Sequence, residues 1–219
     1  MNSFPRNKYF WDWFLKNQDE YRAIDELSDE DYEYRMRELQ IHLRAYCSHL
    51  EAHIINSEDN KCNWLIISAR LNRKLFKKAD KLVAKAPEIE GWEMVSLLPP
   101  QPVDYLIRLG VTYTGINPEY MWFVAHEPDE AGRAAFIVFV RSPLPLDDDE
   151  LCVAVKTILL NVMGERSYCS DIEMWTIVSH PAANPKGNGV LHITELPAYI
   201  AGLKSNFEIG EDGELREKI

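Results

Sequence analysis

The chain has 219 residues, of which 46% are hydrophobic and 27% are charged, and this composition is typical of a globular protein with a sizeable core. Its formal net charge of −11 at pH 7 argues against a general nucleic-acid binder and against docking on anionic membranes, because both need a basic surface. The sequence contains no run of about 18 apolar residues and no signal-peptide pattern, so we expect a cytoplasmic protein. Its widely spaced cysteines predict free thiols, at Cys47, Cys62, Cys152 and Cys169.

The first segment, residues 1–56, is predicted to be helical and to pack on the main domain. Its aromatic residues recur at the i, i+1, i+4 spacing of one helix face. Ser28 precedes an acidic turn and is a natural N-cap, with Asp31 at the third helical position. The second helix should carry an apolar stripe about five turns long, formed by Tyr32, Met36, Leu39, Leu43, Tyr46 and Leu50.

Residues 57–206 are predicted to form an α+β domain, which opens with a strand–helix–strand unit. "WLIISA" is dense in β-branched and aromatic residues and predicts a strand. A basic helix should begin near Asn72 and end before Pro87, because the residue before a proline disfavours the α conformation. "WEMVSLL" predicts a second strand, which should run parallel to the first if the two share a sheet.

The rest of the chain predicts a hairpin, a third helix, a last strand and a closing helix. "YMWFVAHEP" and "RAAFIVFVRS" flank the turn "DEAG" and indicate the hairpin. The acidic residues 147–150 suit the start of the helix, and Gly164 suits its end. "DIEMWTIVSH" predicts the strand, "TELPAYIAGL" predicts the helix, and residues 207–219 form a polar tail. This order predicts an α+β fold, with a mixed, mostly antiparallel sheet, helices packed on one face and an N-terminal helical segment.

Three stretches of the chain resemble a family of uncharacterised bacterial proteins of about this length. They are "FWDWF", "LIISARLNRKLFKKADKLVAKAPEIEGW" and "ILLNVMGE", and together the resemblance spans most of the chain. The shared features are structural, such as the apolar strand and the Ala-Pro helix stop. The family pattern has a small turn, often with glycine or an acid, after Ile-Ser-Ala, whereas this chain has residues 70–72, "RLN". The resemblance implies a bacterial, cytoplasmic protein of unknown role.

The histidines of the second predicted helix are the candidates for a metal site. His42, His49 and His53 fall within roughly 40° of one another on a helix, and the last two have the i, i+4 spacing that can chelate a transition metal. No H-E-x-x-H motif is present to supply a general base. We therefore expect a polar helix boundary and no metal, with His49 and His53 as the candidate ligands if one binds.

Polar residues at the ends of predicted strands are the candidates for catalysis. Ser68, either His126 or His180, and an acid such as Glu127 could imitate a hydrolytic triad. However, no G-x-S-x-G motif surrounds a serine, and no glycine-rich phosphate loop is present. We therefore expect no catalytic residue and no cofactor.

The predicted basic helix is the candidate for ligand binding. Residues 70–85 contain seven lysines and arginines against one acid, Asp80. A solvated helix face explains this pattern most simply. The alternative is a docking surface for an acidic protein partner, including the acidic residues 19–33 of a second copy. The start of the helix could bind an anion, since free backbone N–H groups lie there, beside Asn72, Arg73 and Lys74.

The aromatic segment "FWDWF" predicts an interface. Trp11 and Trp13 lie about 200° apart on a helix, so they cannot share one face. We expect one to pack on the domain and the other, with Phe14, to contact a partner, in our preferred version a second copy in a homodimer. The sequence thus favours a non-enzymatic protein-interaction or small-ligand-binding module. The alternative is a small hydrolase or a metal-dependent enzyme.

Overall fold

A computed structural model describes residues 6–56, 62–109, 114–141, 147–179, 189–209 and 215–217. It divides the chain into two compact units, Met1–Leu98 and Pro99–Ile219. Each unit contains helices and its own mixed sheet, which confirms the predicted α+β class. Among the described residues, no helix combines the length and the apolar character that crossing a membrane requires.

In the described part of the first unit, three strands form one sheet and three α-helices accompany it. In chain order they are α1 (Arg6–Asn17), α2 (Asp29–Tyr46), β1 (Glu51–Asn56), β2 (Asn63–Ser68), α3 (Phe76–Val83) and β3 (Trp92–Ser96). The strand order is β1-β2-β3, with β1 antiparallel and β3 parallel to β2. The predicted parallel strand–helix–strand unit is therefore confirmed.

Helix α1 is held in the core of the first unit by its aromatic residues. Phe10 and Phe14 have no exposed surface, and the Phe14 ring meets Trp92 of β3 edge to face at 5.1 Å. Ser28 caps α2 by accepting a hydrogen bond from the Asp31 N–H, as predicted. The apolar stripe of α2 is buried at its centre and exposed at its start, where Tyr32 is 40% exposed.

The prediction that the first segment stays helical to residue 56 is wrong. Helix α2 ends at Tyr46, because Cys47 adopts an extended conformation. Residues 51–56 then form β1, which pairs with β2 along its whole length. Its β-branched residues, Ile54 and Ile55, favour a strand, and the ladder hydrogen bonds of β2 outweigh the helical spacing that continues through Leu50.

The second unit contains a four-stranded sheet and a two-stranded ribbon. Its elements are α4 (Val103–Leu109), β4 (Met121–Ala125), β5 (Ala134–Val140), α5 (Asp148–Asp171), β6 (Ile172–Ser179), β7 (Val190–His192), α6 (Leu196–Asn206), β8 (Phe207–Ile209) and β9 (Leu215–Glu217). The sheet order is β6-β5-β4-β7, and the β4–β5 hairpin is antiparallel as predicted. Strands β8 and β9 pair within the predicted polar tail. The strands thus form two sheets and a ribbon where the sequence suggested one sheet.

Helix α5 covers one face of the four-stranded sheet. Its apolar residues join the core, and α4 and α6 contribute Leu106 and Ile200 to the same cluster. Asp147 and Glu150 form a capping box at its start. Gly164 interrupts the helix with φ 71° and ψ 157°, a conformation open essentially to glycine alone, and a second helical segment follows. The predicted helix end is therefore an internal break.

Candidate functional site

The turn after β2 is the first candidate, because backbone strain collects there. Arg70 and Leu71 have φ values of 53° and 63°, and Leu97, just after β3, has a φ of 64°. Positive φ costs non-glycine residues free energy, and such residues often cluster at functional sites. All three lie at the carboxyl ends of the parallel strands β2 and β3, the end of a parallel sheet where ligands commonly bind. Ser68 stabilises the turn by accepting the Arg70 N–H at 3.0 Å.

The predicted anion site begins at this turn. Asn72 caps a short 3-10 turn that leads into α3, and its Oδ1 accepts the Lys74 N–H at 3.1 Å. The Lys74 N–H, one of the backbone donors that an anion would need, is therefore already bonded to the Asn72 side chain. Asn72, Arg73 and Lys74 are all exposed, so their predicted ligand-binding role stays a prediction.

The basic side chains that follow are exposed on α3 and on the residues just before and after it. This exposed set consists of Lys74, Lys77, Lys78, Lys81 and Lys85. The apolar side of the helix, with Phe76, Ala79 and Leu82, is buried. A solvated face accounts for the charge run, and docking of an acidic partner on it stays a prediction.

The candidate catalytic residues are distributed over both units. Ser68 belongs to the first unit, is 7% exposed and uses its hydroxyl in the turn described above. His126 and Glu127 belong to the second unit and are exposed just after β4, where the His126 backbone N–H donates to the Ala135 carbonyl. His180 lies outside the described residues. The hydrolase alternative therefore stays a prediction.

The three histidines predicted to share a helix face lie in three different places. His42 is on α2, His49 is in the turn before β1, and His53 is on β1. The helical i, i+4 spacing of the candidate metal ligands is therefore wrong, because the helix ends before both of them. The His49 ring lies 3.0 Å from the Ser48 hydroxyl, and His53 lies 3.8 Å from the Glu51 carboxylate. Among the residues that the structure describes, no group of three or more potential ligand side chains could hold a metal ion.

His42 is enclosed by aromatic rings in the first unit. Its ring stacks on Trp13 with centroids 3.9 Å apart, and its Nδ1 lies 3.0 Å from the Tyr9 hydroxyl. Burial lowers the pKa of His42 from its ordinary value, against the opposing effect of the Glu38 carboxylate. The ring thus serves as a packing element between α1 and α2.

The aromatic residues predicted to form an interface pack inside the first unit. Trp11 is 4% exposed and donates its indole N–H to the Leu82 carbonyl at 2.9 Å. Phe14 is fully buried, and Trp13 is half-buried in its stack with His42. Trp11 and Phe14 are therefore packing residues of the first unit, and an interface role for the half-buried Trp13 stays a prediction.

The second sheet carries an apolar face that the sequence analysis did not predict. Its core face holds Phe123, Phe136 and Val138 against α5. Because side chains alternate along a strand, their neighbours lie on the opposite side of the sheet. We call that side the outer face; it consists of Trp122, Val124, Ala135, Ile137, Phe139, Met174, Thr176, Val178, Val190 and His192.

The pairing registers arrange the outer face in rows across the sheet. One row runs from Val178 through Phe139 and Trp122 to His192. A second row joins residues of the same four strands, namely Thr176, Ile137, Val124 and Val190. Neither row contains a carboxylate, a lysine or an arginine.

The outer face remains open to solvent at one edge. Met174 is 58% exposed and Val178 is 43% exposed, while Phe139 and Ile137 are half-buried. A signal for this face exists in the sequence, since "RAAFIVFV" is apolar at every position after Arg133 instead of alternating. Such a run predicts a strand that is apolar on both sides.

In comparisons with family models, with curated proteins and with solved structures, nothing matches this chain.

Proposed function

We propose that this chain is a non-enzymatic protein-interaction module that binds its partner through the outer face of the second sheet. The observation that carries the proposal is the pair of uncharged rows spanning all four strands. Helices pack on the core face of the same sheet. The sheet therefore has apolar side chains on both faces, and the described helices of this unit cover one of them.

The chemistry of the outer face suits a protein surface. Contiguous exposed apolar patches mark interaction sites in soluble proteins, because their burial removes apolar area from water. Trp122 and Phe139 sit side by side in the first row, and aromatic side chains near the centre of an interface contribute much of its binding energy. The face therefore favours a protein over a small ligand.

The proposal is tested with a substitution on the outer face and a matched control. Val178→Asp adds a charge to the first row, where Val178 is 43% exposed, whereas Val153→Asp adds the same charge at a more exposed valine on α5, which is 64% exposed. Tagged wild-type and variant chains would be used to capture proteins from the native host, and each captured protein would then be purified.

Binding of the purified pair, measured by calorimetry, decides the outcome. We expect Val178→Asp to weaken binding at least about tenfold, since a charge would be desolvated without a partner, and Val153→Asp to leave it unchanged. Equal binding by both variants would refute the proposal.

A further inference from the structure

Strand β6 forms one edge of the second sheet and is long for an edge strand. It has eight residues, Ile172–Ser179, and pairs with β5 on one side. Natural edge strands usually resist pairing with other chains through lysines, prolines, bulges or shortness. Between Met174 and Ser179 this strand has no charge, no proline and no irregularity of register.

The sequence of β6 is complementary to itself in antiparallel pairing. With a two-fold axis at Thr176, Met174 lies opposite Val178 of a second copy on the outer face, and Thr176 lies opposite its own counterpart. On the core face Trp175 lies opposite Ile177. Glu173, which pairs with Arg133 in its own chain, lies opposite Ser179, so the two copies place no like charges opposite each other.

This register also joins the outer faces of the two copies. Paired residues in an antiparallel ladder point to the same side of the sheet. Because the pairing matches Met174, Thr176 and Val178 among themselves, the exposed edge of the outer face in one copy continues into that of the other. A register shifted by one residue would place Thr176 opposite Trp175 or Ile177 and the outer face opposite the core face.

We propose that a second copy of this chain pairs antiparallel along β6, so that the two four-stranded sheets become one continuous sheet. This rests on the proposed function, since it names a partner for the open edge of the same outer face. The pairing covers Met174 and Val178, the two most exposed apolar side chains of that face. It also gives hydrogen bonds to the edge of β6 on which no described strand pairs.

Single cysteines on the outer face test the register. Residues directly opposite each other in an antiparallel pair have Cα atoms about 4.5–5.5 Å apart, within the range that a disulfide spans. Thr176→Cys should therefore form a disulfide-linked dimer under mild oxidation. Val178→Cys should not, because Val178 of the second copy lies four residues away along the strand, at about 13 Å. A mixture of Val178→Cys and Met174→Cys should give the mixed dimer.

The parent for these variants carries Cys152→Ser, because Cys152 is exposed. This parent, without an added cysteine, should not cross-link. All substituted positions are on the solvent side of the sheet, and sedimentation of the reduced proteins checks that each variant keeps the wild-type mass. Thr176→Lys should halve the sedimenting mass, while Val153→Lys on α5 should retain the doubled mass. Equal cross-linking of Thr176→Cys and Val178→Cys, or a single-chain mass for the wild type up to its solubility limit, would overturn the proposal.

The experiments separate this inference from the proposed function. If the wild type sediments as a single chain but Val178→Asp still loses a purified partner, self-pairing fails and the interaction face stands. If the wild type sediments as a single chain and Val178→Asp binds every partner as the wild type does, both fail.

Discussion

Replacing Trp11 with alanine should destabilise the first unit without any direct effect on assembly. Trp11 is 4% exposed, and its ring centroid lies 4.9 Å from that of Phe10 and 6.2 Å from that of Phe14. Its indole N–H donates to the Leu82 carbonyl. Removing a buried tryptophan side chain costs about 3–5 kcal/mol of stability. The Leu82 carbonyl also accepts the Lys85 N–H, so it keeps one partner and adds little further penalty.

Trp11→Phe separates the two contributions, because it keeps most of the ring and loses the indole N–H. We expect it to cost about 1–2 kcal/mol, from one hydrogen bond of about 1 kcal/mol and a smaller ring. Leu15→Ala is the control on the same helix, since Leu15 is 49% exposed and should change stability by less than about 0.5 kcal/mol.

Amide hydrogen exchange resolved by peptide measures these effects within each unit. For Trp11→Ala we expect the slow peptides of α2 and β2 to exchange about a hundredfold faster or more, because each 1.4 kcal/mol is about tenfold in an opening equilibrium. Exchange at wild-type rates in the first unit would refute the packing role of Trp11. If Trp11→Ala changed the oligomeric mass without faster exchange, Trp11 would be an interface residue instead.

Two further predictions concern stability. The pKa of His42 is lowered by burial, so its stabilising effect should be present above its ordinary pKa of about 6.5 and be lost as the pH falls through the lowered value. Urea unfolding at several pH values in this window should show a free energy of unfolding that falls with the pH, and His42→Gln should reduce that dependence. The same pH dependence in the wild type and in His42→Gln would contradict the burial of the ring. Gly164→Ala should lower the free energy of unfolding by about 1–3 kcal/mol, because φ 71° and ψ 157° strain any other residue. Gly202→Ala, inside α6 with open space for a methyl group, should raise it by about 0.4–1 kcal/mol, and equal shifts in urea midpoint would refute the reasoning.

Local pattern predicted most of the secondary structure, because the signals are local. The Ser28 cap, the acidic start of α5 and the hairpin around Gly132 each depend on residues within a few positions of one another. The end of α2 depends on something distant, since β1 becomes a strand through the ladder that β2 offers it. The split into two sheets likewise depends on which strands find each other, and helical or strand periodicity carries no information about that choice.

The candidate site was harder to predict, for a related reason. Residue type drew attention to the histidines and tryptophans, and the fold uses Trp11 and His42 as packing elements. The outer face contains few residues with reactive chemistry. It exists only because two pairing registers align Val178, Phe139 and Trp122 in one row. The unbroken apolar run of β5 signals two apolar sides, but pairing decides what lies beside each residue.

Met174 offers the most direct measurement of the central claim, because it is a native reporter at the open edge of the outer face. It is 58% exposed, so peroxide should oxidise it readily in purified protein diluted until it sediments as a single chain, whereas Met121, fully buried in the core, should react slowly. We would compare the oxidation rates of Met174 and Met36 in dilute purified protein and in a gently prepared extract of the native host, by mass spectrometry of their peptides, with Met121 as the buried reference. The account predicts that the extract slows oxidation of Met174 several-fold relative to Met36, which is half-buried on α2 in the first unit. Equal slowing of Met174 and Met36, or none, would contradict the claim that a protein partner covers this face.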